Sequence, residues 1–216
     1  MQHFQAHSTD DLSHLIAEYG QNALFRGQTT HYGQPSYPSV VASSDRKICH
    51  PSTMLKWCTY SRNVLETFLG RHKNEPHFVQ ALLQHYGWRS FYVDCSANPA
   101  VSTWFASHIY REDKRIEMSE DCDEEPVLLL KRLASYDFED GDGHLYIIDK
   151  EEASKIGLAD LSSVTLPGCR PRTVAQEAWL LGPLLGNPVP KKCFRAQITA
   201  PRSVDLPLYF QTPVIT

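Results

Sequence analysis

An arginine that follows directly on a short apolar run is the first residue whose type and position suggest chemistry. Residues 23–25 are apolar and favour a strand, and this strand leads into Arg26, Gly27 and Gln28. A guanidinium at such a place can bind a phosphate or a carboxylate through two parallel hydrogen bonds. The glycine beside it lets a ligand or a neighbouring backbone approach closely. The segment predicts an anion-binding Arg26, and the alternative is a surface arginine in an internal ion pair.

A second group of polar residues stands where a helix ends and where the next strand gives way to a helix. His85 and Tyr86 come at a helix end beside a glycine, and Asp94 and Ser96 come between a strand and a helix N-terminus. Helix N-termini carry unsatisfied N–H groups, which suit anions and small polar ligands. The alternatives are that Ser96 or Asn98 only caps the helix and that Tyr86 only packs in the core.

The third group opens a late apolar strand. Arg172, Gln176 and Glu177 precede the run 178–181. This is where a general base, or a carboxylate that orients a hydroxyl, would lie. Successive strand residues point to opposite faces, so only one of Gln176 and Glu177 faces inward. The sequence leaves open which of the two it is.

The elements that must position these residues follow from the spacing of apolar residues. A 3.6-residue spacing predicts helices over 9–20, with Thr9 as cap, over about 52–72, and from Pro76 to Gly87. A fourth helix is predicted to open at Asn98 and Pro99 and to extend its apolar side as far as Ile109.

Short apolar runs predict the strands, which lie at 90–93, 127–131, 144–149, 178–181 and 194–199. The helices mostly precede the later strands, without strict alternation. This order favours a single α+β domain over residues 1–216, with N-terminal helices packed on a mixed or antiparallel sheet. Residues 183–216 are predicted to be a C-terminal strand extension.

An acidic stretch separates the fourth helix from the strand at 127. Residues 111–125 contain eight acidic and three basic side chains and almost nothing apolar. Such a composition predicts a mobile surface loop over 111–126. The alternative is an acidic surface that binds a partner.

Composition excludes several classes of protein. The net charge of −4 excludes binding to nucleic acid through bulk charge alone. No apolar run approaches the roughly 18 residues of a membrane span, and the first residues lack a secretory signal pattern, so a cytoplasmic location is expected. The six cysteines form no C-x-x-C pair and the ten histidines are scattered, so no metal site is predicted.

The three chemical segments together carry a resemblance to a known family. The strings "LFRGQ", "LLQHYGWRSFYVDCSANPAVSTWFASH" and "RPRTVAQEAWLL" resemble the FRG domain, over about residues 4–182. The residues that match the family pattern are Gln84, His85, Tyr86, Gly87, Asp94, Asn98, Pro99, Phe105, Ala106, Arg172 and Gln176. The chain departs from the pattern at Ser90 and Phe91, where a Thr-Arg pair is expected, and at Cys95, Ser96 and Ala178.

The layout is also similar, more distantly, to the ADP-ribosyltransferase plan. That plan has an arginine on the first strand, a serine-containing turn before a helix and a Gln/Glu element before a later strand. Arg26, Ser96 and Glu177 occur in this order. The resemblance implies an ADP-ribosyltransferase-like sheet, with Ala175 as a departure two positions before Glu177.

The function implied is binding of NAD and transfer of ADP-ribose to a protein or nucleic acid acceptor. The catalytic candidates are Glu177 and Gln176. The NAD-binding candidates are Arg26, Gln28, His85, Tyr86, Asp94, Ser96 and Arg172. The alternative is a non-catalytic FRG-type module that recognises a nucleotide, a nucleic acid or a protein. A third interpretation is a hydrolase that uses His85 and Asp94 as acid and base.

Overall fold

The computed structural model describes the chain in several separate ranges, which are residues 1–46, 52, 55–56, 59, 62–63, 84, 89–119, 127–161, 174–184 and 186–202. The strands are β1 (Gln2–Gln5), β2 (Ala23–Gln28), β3 (Gly33–Gln34), β4 (Tyr37–Pro38), β5 (Val93–Ser96), β6 (His108–Ser119), β7 (Val127–Phe138), β8 (Asp142–Asp149), β9 (Leu158–Asp160), β10 (Ala178–Leu181) and β11 (Phe194–Pro201). The helices are α1 (Thr9–Tyr19), α2 (Ser43–Arg46), α3 (Pro99–Ser107) and α4 (Lys150–Ser154), and Lys191–Cys193 form a 3-10 turn.

Seven of the strands form one mixed sheet, in the order β1, β11, β8, β2, β5, β10, β9. Only β1 and β11 run parallel, and every other neighbouring pair is antiparallel. The predicted α+β class with a mixed sheet is therefore confirmed for the described residues.

The late strand β11 lies inside the sheet, between β1 and β8. Its residues Ala196 and Ile198 are buried, because they pack in an apolar cluster with Leu12 of α1. The strand predicted at 194–199 is therefore present as β11, and its place inside the sheet is a feature that the sequence does not show. Residues 203–216 of the predicted C-terminal extension over 183–216 lie outside the described residues.

Alternation along the strands divides the sheet into two faces. One face carries Phe25, Leu145, Ile147 and Ile198, and it packs against α1 through Leu12. We call it the helix face. The opposite face carries Leu24 and Ile148, which belong to a second apolar cluster. Arg26, two residues after Leu24 on β2, lies on this same face, which we call the arginine face.

Helix α1 begins at Thr9 as predicted, but its cap is one residue earlier than the sequence suggests. The cap is Ser8, whose hydroxyl accepts a hydrogen bond from the Asp11 backbone N–H at 3.1 Å, while the Asp11 carboxylate accepts from the Ser8 backbone N–H at 3.1 Å. This reciprocal capping box satisfies two donors at once, which Thr9 at the first helical position cannot do. The predicted span 9–20 is otherwise confirmed, and Gly20 ends the helix.

Helix α3 opens where predicted and packs on the helix face. Asn98 caps it by accepting from the Ala100 N–H at 2.9 Å, and Pro99 occupies the first helical turn. The helix ends at Ser107, before the predicted His108 and Ile109, because those two residues begin β6.

The predicted acidic loop is wrong for residues 111–119. These residues belong to β6, which pairs with β7 in register from His108 opposite Phe138 to Ser119 opposite Val127. Charged side chains are compatible with a strand that is open to water, and Arg111 forms an ion pair with Asp137 across the hairpin. Residues 120–126 lie outside the described residues.

The predicted second and third helices fall almost entirely outside the described residues. The few positions described there, 52, 55–56, 59, 62–63 and 84, are helical. The strand predicted at 90–93 is instead found at Val93–Ser96, after two bends at Phe91 and Tyr92.

Candidate functional site

Arg26 is held on the arginine face by its own strand and by β5. Leu24, Arg26 and Gln28 alternate toward this face along β2. The Arg26 Nη1 donates a 2.6 Å hydrogen bond to the Asp94 carbonyl oxygen, whereas the Asp94 side chain is exposed. The Arg26 Nε is buried and has no hydrogen-bond partner. The guanidinium is therefore fixed in place with donor capacity left over.

Two buried neighbours of Arg26 on the arginine face, Tyr146 and Cys95, are neutral at neutral pH. Arg26 lies opposite Tyr146 on β8, and burial raises the pKa of the Tyr146 hydroxyl to about 12. Burial likewise raises the pKa of the Cys95 thiol to about 12. In both cases the Arg26 charge acts in the opposite direction, but burial has the larger effect. Neither of these two side chains supplies a counter-charge to Arg26.

Ser96 faces the other side of the sheet from Arg26. Ser96 lies directly opposite Phe25 on β2, and Phe25 belongs to the helix face. Neighbouring residues of a strand alternate, so the Ser96 and Arg26 side chains point to opposite faces. The Ser96 hydroxyl donates to the Gln176 carbonyl oxygen at 2.6 Å and accepts from the Asn98 N–H at 2.9 Å. The resemblance to the ADP-ribosyltransferase plan implies that Ser96 binds NAD together with Arg26, but the two side chains lie on opposite faces of the sheet.

The turn that carries Gln176 and Glu177 is tied to β5 by two hydrogen bonds that cross from one segment to the other. One is the Ser96 bond to the Gln176 carbonyl, and the other runs from the Ala97 N–H to the Glu177 carbonyl at 3.0 Å. Glu177 has φ 43° and an exposed side chain. A non-glycine residue in this left-handed region costs of order 1–3 kcal/mol, and such strain concentrates at functional sites. The turn is thus anchored firmly enough to keep a strained glutamate at the surface.

Three of the predicted segments come together, although they are distant in sequence. The strands that carry or follow Arg26, Ser96 and Glu177 are β2, β5 and β10, and they are consecutive in the sheet. Gln176 lies in the same turn as Glu177, and its Nε2 is buried without a partner. His85, Tyr86 and Arg172 lie outside the described residues.

Gln28 belongs to a larger polar surface that sequence reasoning missed. Two rows of residues cross β2, β8, β11 and β1 on the arginine face, and we call them the polar grid: Arg26, Tyr146, Gln197 and His3 in one row, and Gln28, His144, Thr199 and Gln5 in the other. The signal in the sequence is the alternation of polar and apolar residues along 143–148 and 195–200. The sequence does not show which strands lie side by side, so the rows were not visible.

His31 lies over the polar grid. Its Nδ1 is 3.0 Å from the Tyr146 hydroxyl, its Nε2 is 3.0 Å from the Gln34 carbonyl oxygen, and its ring is 5.7 Å from the ring of His144. His144 in turn places its Nδ1 3.1 Å from the Thr199 hydroxyl. The segment after β2 is therefore connected to the grid by histidine and tyrosine.

The histidines predict a pH-dependent stability. Burial has the largest effect and lowers the pKa of His144, and the nearby charge of His31 lowers it further. Asp142 raises this pKa and Arg202 lowers it, both with smaller effects. The unfolded chain then binds more protons than the folded chain below about pH 6.5, so the free energy of unfolding falls as the pH is lowered from 7 toward 5.

Urea unfolding at a series of pH values measures this slope. We expect His144→Gln, which keeps a polar partner for Thr199, to have a flatter slope between pH 7 and 5 than the natural chain. The lowered pKa values of Asp11 and Asp149 act only at lower pH, below about 4. Identical slopes for the natural chain and the variant would contradict the assignment to His144.

Comparison with known proteins gives no neighbour for this site. No family model matches the chain, and neither the curated proteins nor the solved structures contain a significant match to it. Within the described ranges, no helix is long and apolar enough to cross a membrane. In the same ranges, no group of three or more His, Cys, Asp or Glu side chains is placed to hold a metal ion.

Proposed function

We propose that this chain is an ADP-ribosyltransferase-like protein of the FRG type, which binds NAD beside Arg26 and transfers ADP-ribose with Glu177 as the catalytic carboxylate. The observation that carries the proposal is the adjacency of β2, β5 and β10 in the sheet. Arg26 lies on β2, Ser96 lies on β5 and Glu177 directly precedes β10. The three residues occur in the order of the ADP-ribosyltransferase plan. The polar contact between Ser96 and Gln176 spans 80 positions of sequence.

Arg26 is suited to the NAD pyrophosphate because its guanidinium is fixed and keeps a donor without a partner. Its Nη1 is occupied by the Asp94 carbonyl, and its buried Nε has no partner. A buried donor without a partner costs free energy that a ligand oxygen recovers on binding. Arg26 therefore acts in ground-state binding.

Glu177 is suited to the chemical step because its side chain is exposed in the turn directly before β10. Transfer breaks the bond between C1′ of the ribose and the nicotinamide nitrogen, which leaves with the bonding electrons. The acceptor then forms its bond to C1′ and releases a proton. Positive charge develops on the ribose in between, so a carboxylate near the 2′-hydroxyl stabilises this transition state more than the ground state.

Ser96 has a positioning role in this scheme. Its hydroxyl faces away from Arg26 and is committed to the Gln176 carbonyl and the Asn98 N–H. It therefore holds the turn that presents Glu177 and does not touch NAD. This replaces the expectation that Ser96 itself binds NAD.

A second candidate function is a binding module without turnover. The direction of Ser96 favours it, because the hydroxyl that the ADP-ribosyltransferase plan places at the ribose is on the other face. In such a module Arg26 recognises the nucleotide, and Glu177 has no chemical role. The two functions share NAD or nucleotide binding and differ only in turnover.

Titration calorimetry with NAD and the full chain tests the shared part. We expect Arg26→Ala to weaken NAD binding by about 10–100-fold, because it removes charge-assisted hydrogen bonds that exist in the ground state. Arg115→Ala is the matched control. Arg115 is exposed on β6, where it pairs with Asp113, and its loss leaves NAD affinity unchanged. Equal affinities for the natural chain and Arg26→Ala would contradict the proposed site.

A further inference from the structure

Two buried glutamines on the arginine face have side-chain oxygens without partners. Gln28 is 8% exposed and Gln197 is 6% exposed, and the Oε1 of each is buried with no hydrogen bond. An unsatisfied buried amide oxygen costs roughly 1–3 kcal/mol. Two such oxygens on one sheet face, together with the free Nε–H of Arg26, mark a polar surface that is incomplete without a further group.

The spacing of the polar grid defines the size of that group. Strands of a sheet are about 4.8 Å apart and every second residue is about 6.8 Å along a strand. Gln28 on β2 and Gln197 on β11 are two strands and one row apart, with β8 between them. Their Cα atoms are therefore about 12 Å apart across the diagonal. One ring of sugar size, with a hydrogen bond at each side, is long enough to join the two side chains across this diagonal.

The chemistry of the grid favours hydroxyl groups. The two amide oxygens require donors, and the Arg26 Nε–H requires an acceptor. Burial holds the pKa of His144 low, so its imidazole is neutral and offers one donor and one acceptor. Neither row contains an aspartate or a glutamate, so a cation finds no counter-charge there. Hydroxyls both donate and accept, and vicinal hydroxyls on one ring match this mixture.

The segment after β2 that carries His31 covers this surface, and the hydrogen bond of His31 to Tyr146 is one that a ligand can replace. Val40 and Ala42 anchor the segment in the core, whereas its tip is exposed, with Tyr32 57% exposed. His31 bonds to the Tyr146 hydroxyl, which is otherwise the central polar group of the grid. A ligand hydroxyl that bonds to Tyr146 takes the place of His31.

We propose that the polar grid is a binding site for a sugar ring with vicinal hydroxyls, such as a ribose unit, which enters by displacing His31 from Tyr146. The site is held by Gln28 and Gln197 at its two ends. The site shares Arg26 with the proposed NAD site, but it goes beyond the proposed function because neither Glu177 nor NAD turnover enters the argument.

Ligand-observed NMR titration of the full chain with D-ribose tests the proposal, with tetrahydrofuran as the ring that lacks hydroxyls and inorganic phosphate as the anionic probe. We expect D-ribose to bind and tetrahydrofuran not to bind. Gln197→Leu should raise the Kd for D-ribose at least tenfold, since it removes one buried acceptor while keeping the volume of the side chain. Gln34→Leu, at the exposed tip, is the control and should bind D-ribose like the natural chain.

Thermal unfolding separates a ligand site from an internal network. A buried amide oxygen without a partner is replaced by an apolar group of similar size at little cost, so the Tm of Gln197→Leu should equal or exceed that of the natural chain. A fall in Tm of more than about 5 °C would show that Gln197 is satisfied within the fold, and this overturns the proposal.

Three binding results also overturn it. They are no binding of D-ribose to the natural chain, equal binding by Gln197→Leu, and phosphate binding that depends on Gln197 where D-ribose binding does not. Glu177→Gln should keep full D-ribose binding. A chain without NAD turnover that still binds D-ribose through Gln197 would contradict only the proposed transferase function.

Discussion

Glu177→Gln is expected to lower NAD turnover by about 10²–10³-fold while NAD affinity and the free energy of unfolding stay nearly unchanged. The amide keeps the size of the side chain and removes its charge. Because the carboxylate matters most where positive charge develops on the ribose, its loss appears in kcat. The exposed side chain of Glu177 makes no hydrogen bond that the fold needs among the described residues.

Single-turnover release of nicotinamide measures this effect, and calorimetry measures NAD affinity in parallel. Gln176→Ala is the matched variant from the same turn. If it abolishes turnover whereas Glu177→Gln does not, Gln176 is the catalytic residue and the Glu177 assignment is wrong. A Glu177→Gln chain that loses NAD binding and turnover equally would also contradict a transition-state role.

Gly27→Ala is expected to destabilise the fold by about 3 kcal/mol, which lowers the Tm by roughly 10 °C in a chain of this size. A Cβ atom on Gly27 would overlap the Ser102 carbonyl oxygen and lie 2.7 Å from the Ser102 carbonyl carbon and 2.8 Å from the Ala106 nitrogen. These are backbone atoms of α3, so no side-chain rotation relieves the overlap. The helix must move off β2 next to Arg26.

Urea unfolding checks this value, with Gly186→Ala as the control. Gly186 has φ 87°, but a Cβ there meets nothing within 4 Å. Its replacement therefore costs only the backbone strain, about 1 kcal/mol. Equal effects of the two substitutions would show that α3 does not press on Gly27.

Local signals in the sequence predicted the elements that depend on local chemistry. The strand at 178–181, the helix start at Asn98 and Pro99 and the helix over 9–20 depend on apolar spacing and capping residues, and all three are present in the structure. The strand pairing of 108–119 was missed, because charged residues in a strand exposed to water have the composition of a loop.

The sequence predicts which polar residues stand at the ends of strands, but not how the strands are ordered or which way each side chain points. That the Arg26, Ser96 and Glu177 segments are neighbours follows from the order of β2, β5 and β10 in the sheet, which no local pattern gives. The direction of Ser96 depends on its register opposite Phe25. A shift of one residue reverses every side chain, and no local pattern fixes that register. For the same reason, the sequence does not predict that Tyr146, His144 and Gln197 lie side by side on one face.

The central claim is that NAD binds beside Arg26 and is cleaved with the help of the Glu177 carboxylate, in the turn before β10. The most direct measurement is the release of nicotinamide from NAD by the purified full chain, alone and with nucleic acid or cell lysate as a source of acceptors. The account predicts release that requires the chain, rises with the acceptor and falls in both Arg26→Ala and Glu177→Gln. NAD that binds with Arg26-dependent affinity but stays intact in every mixture would contradict it and establish a binding module.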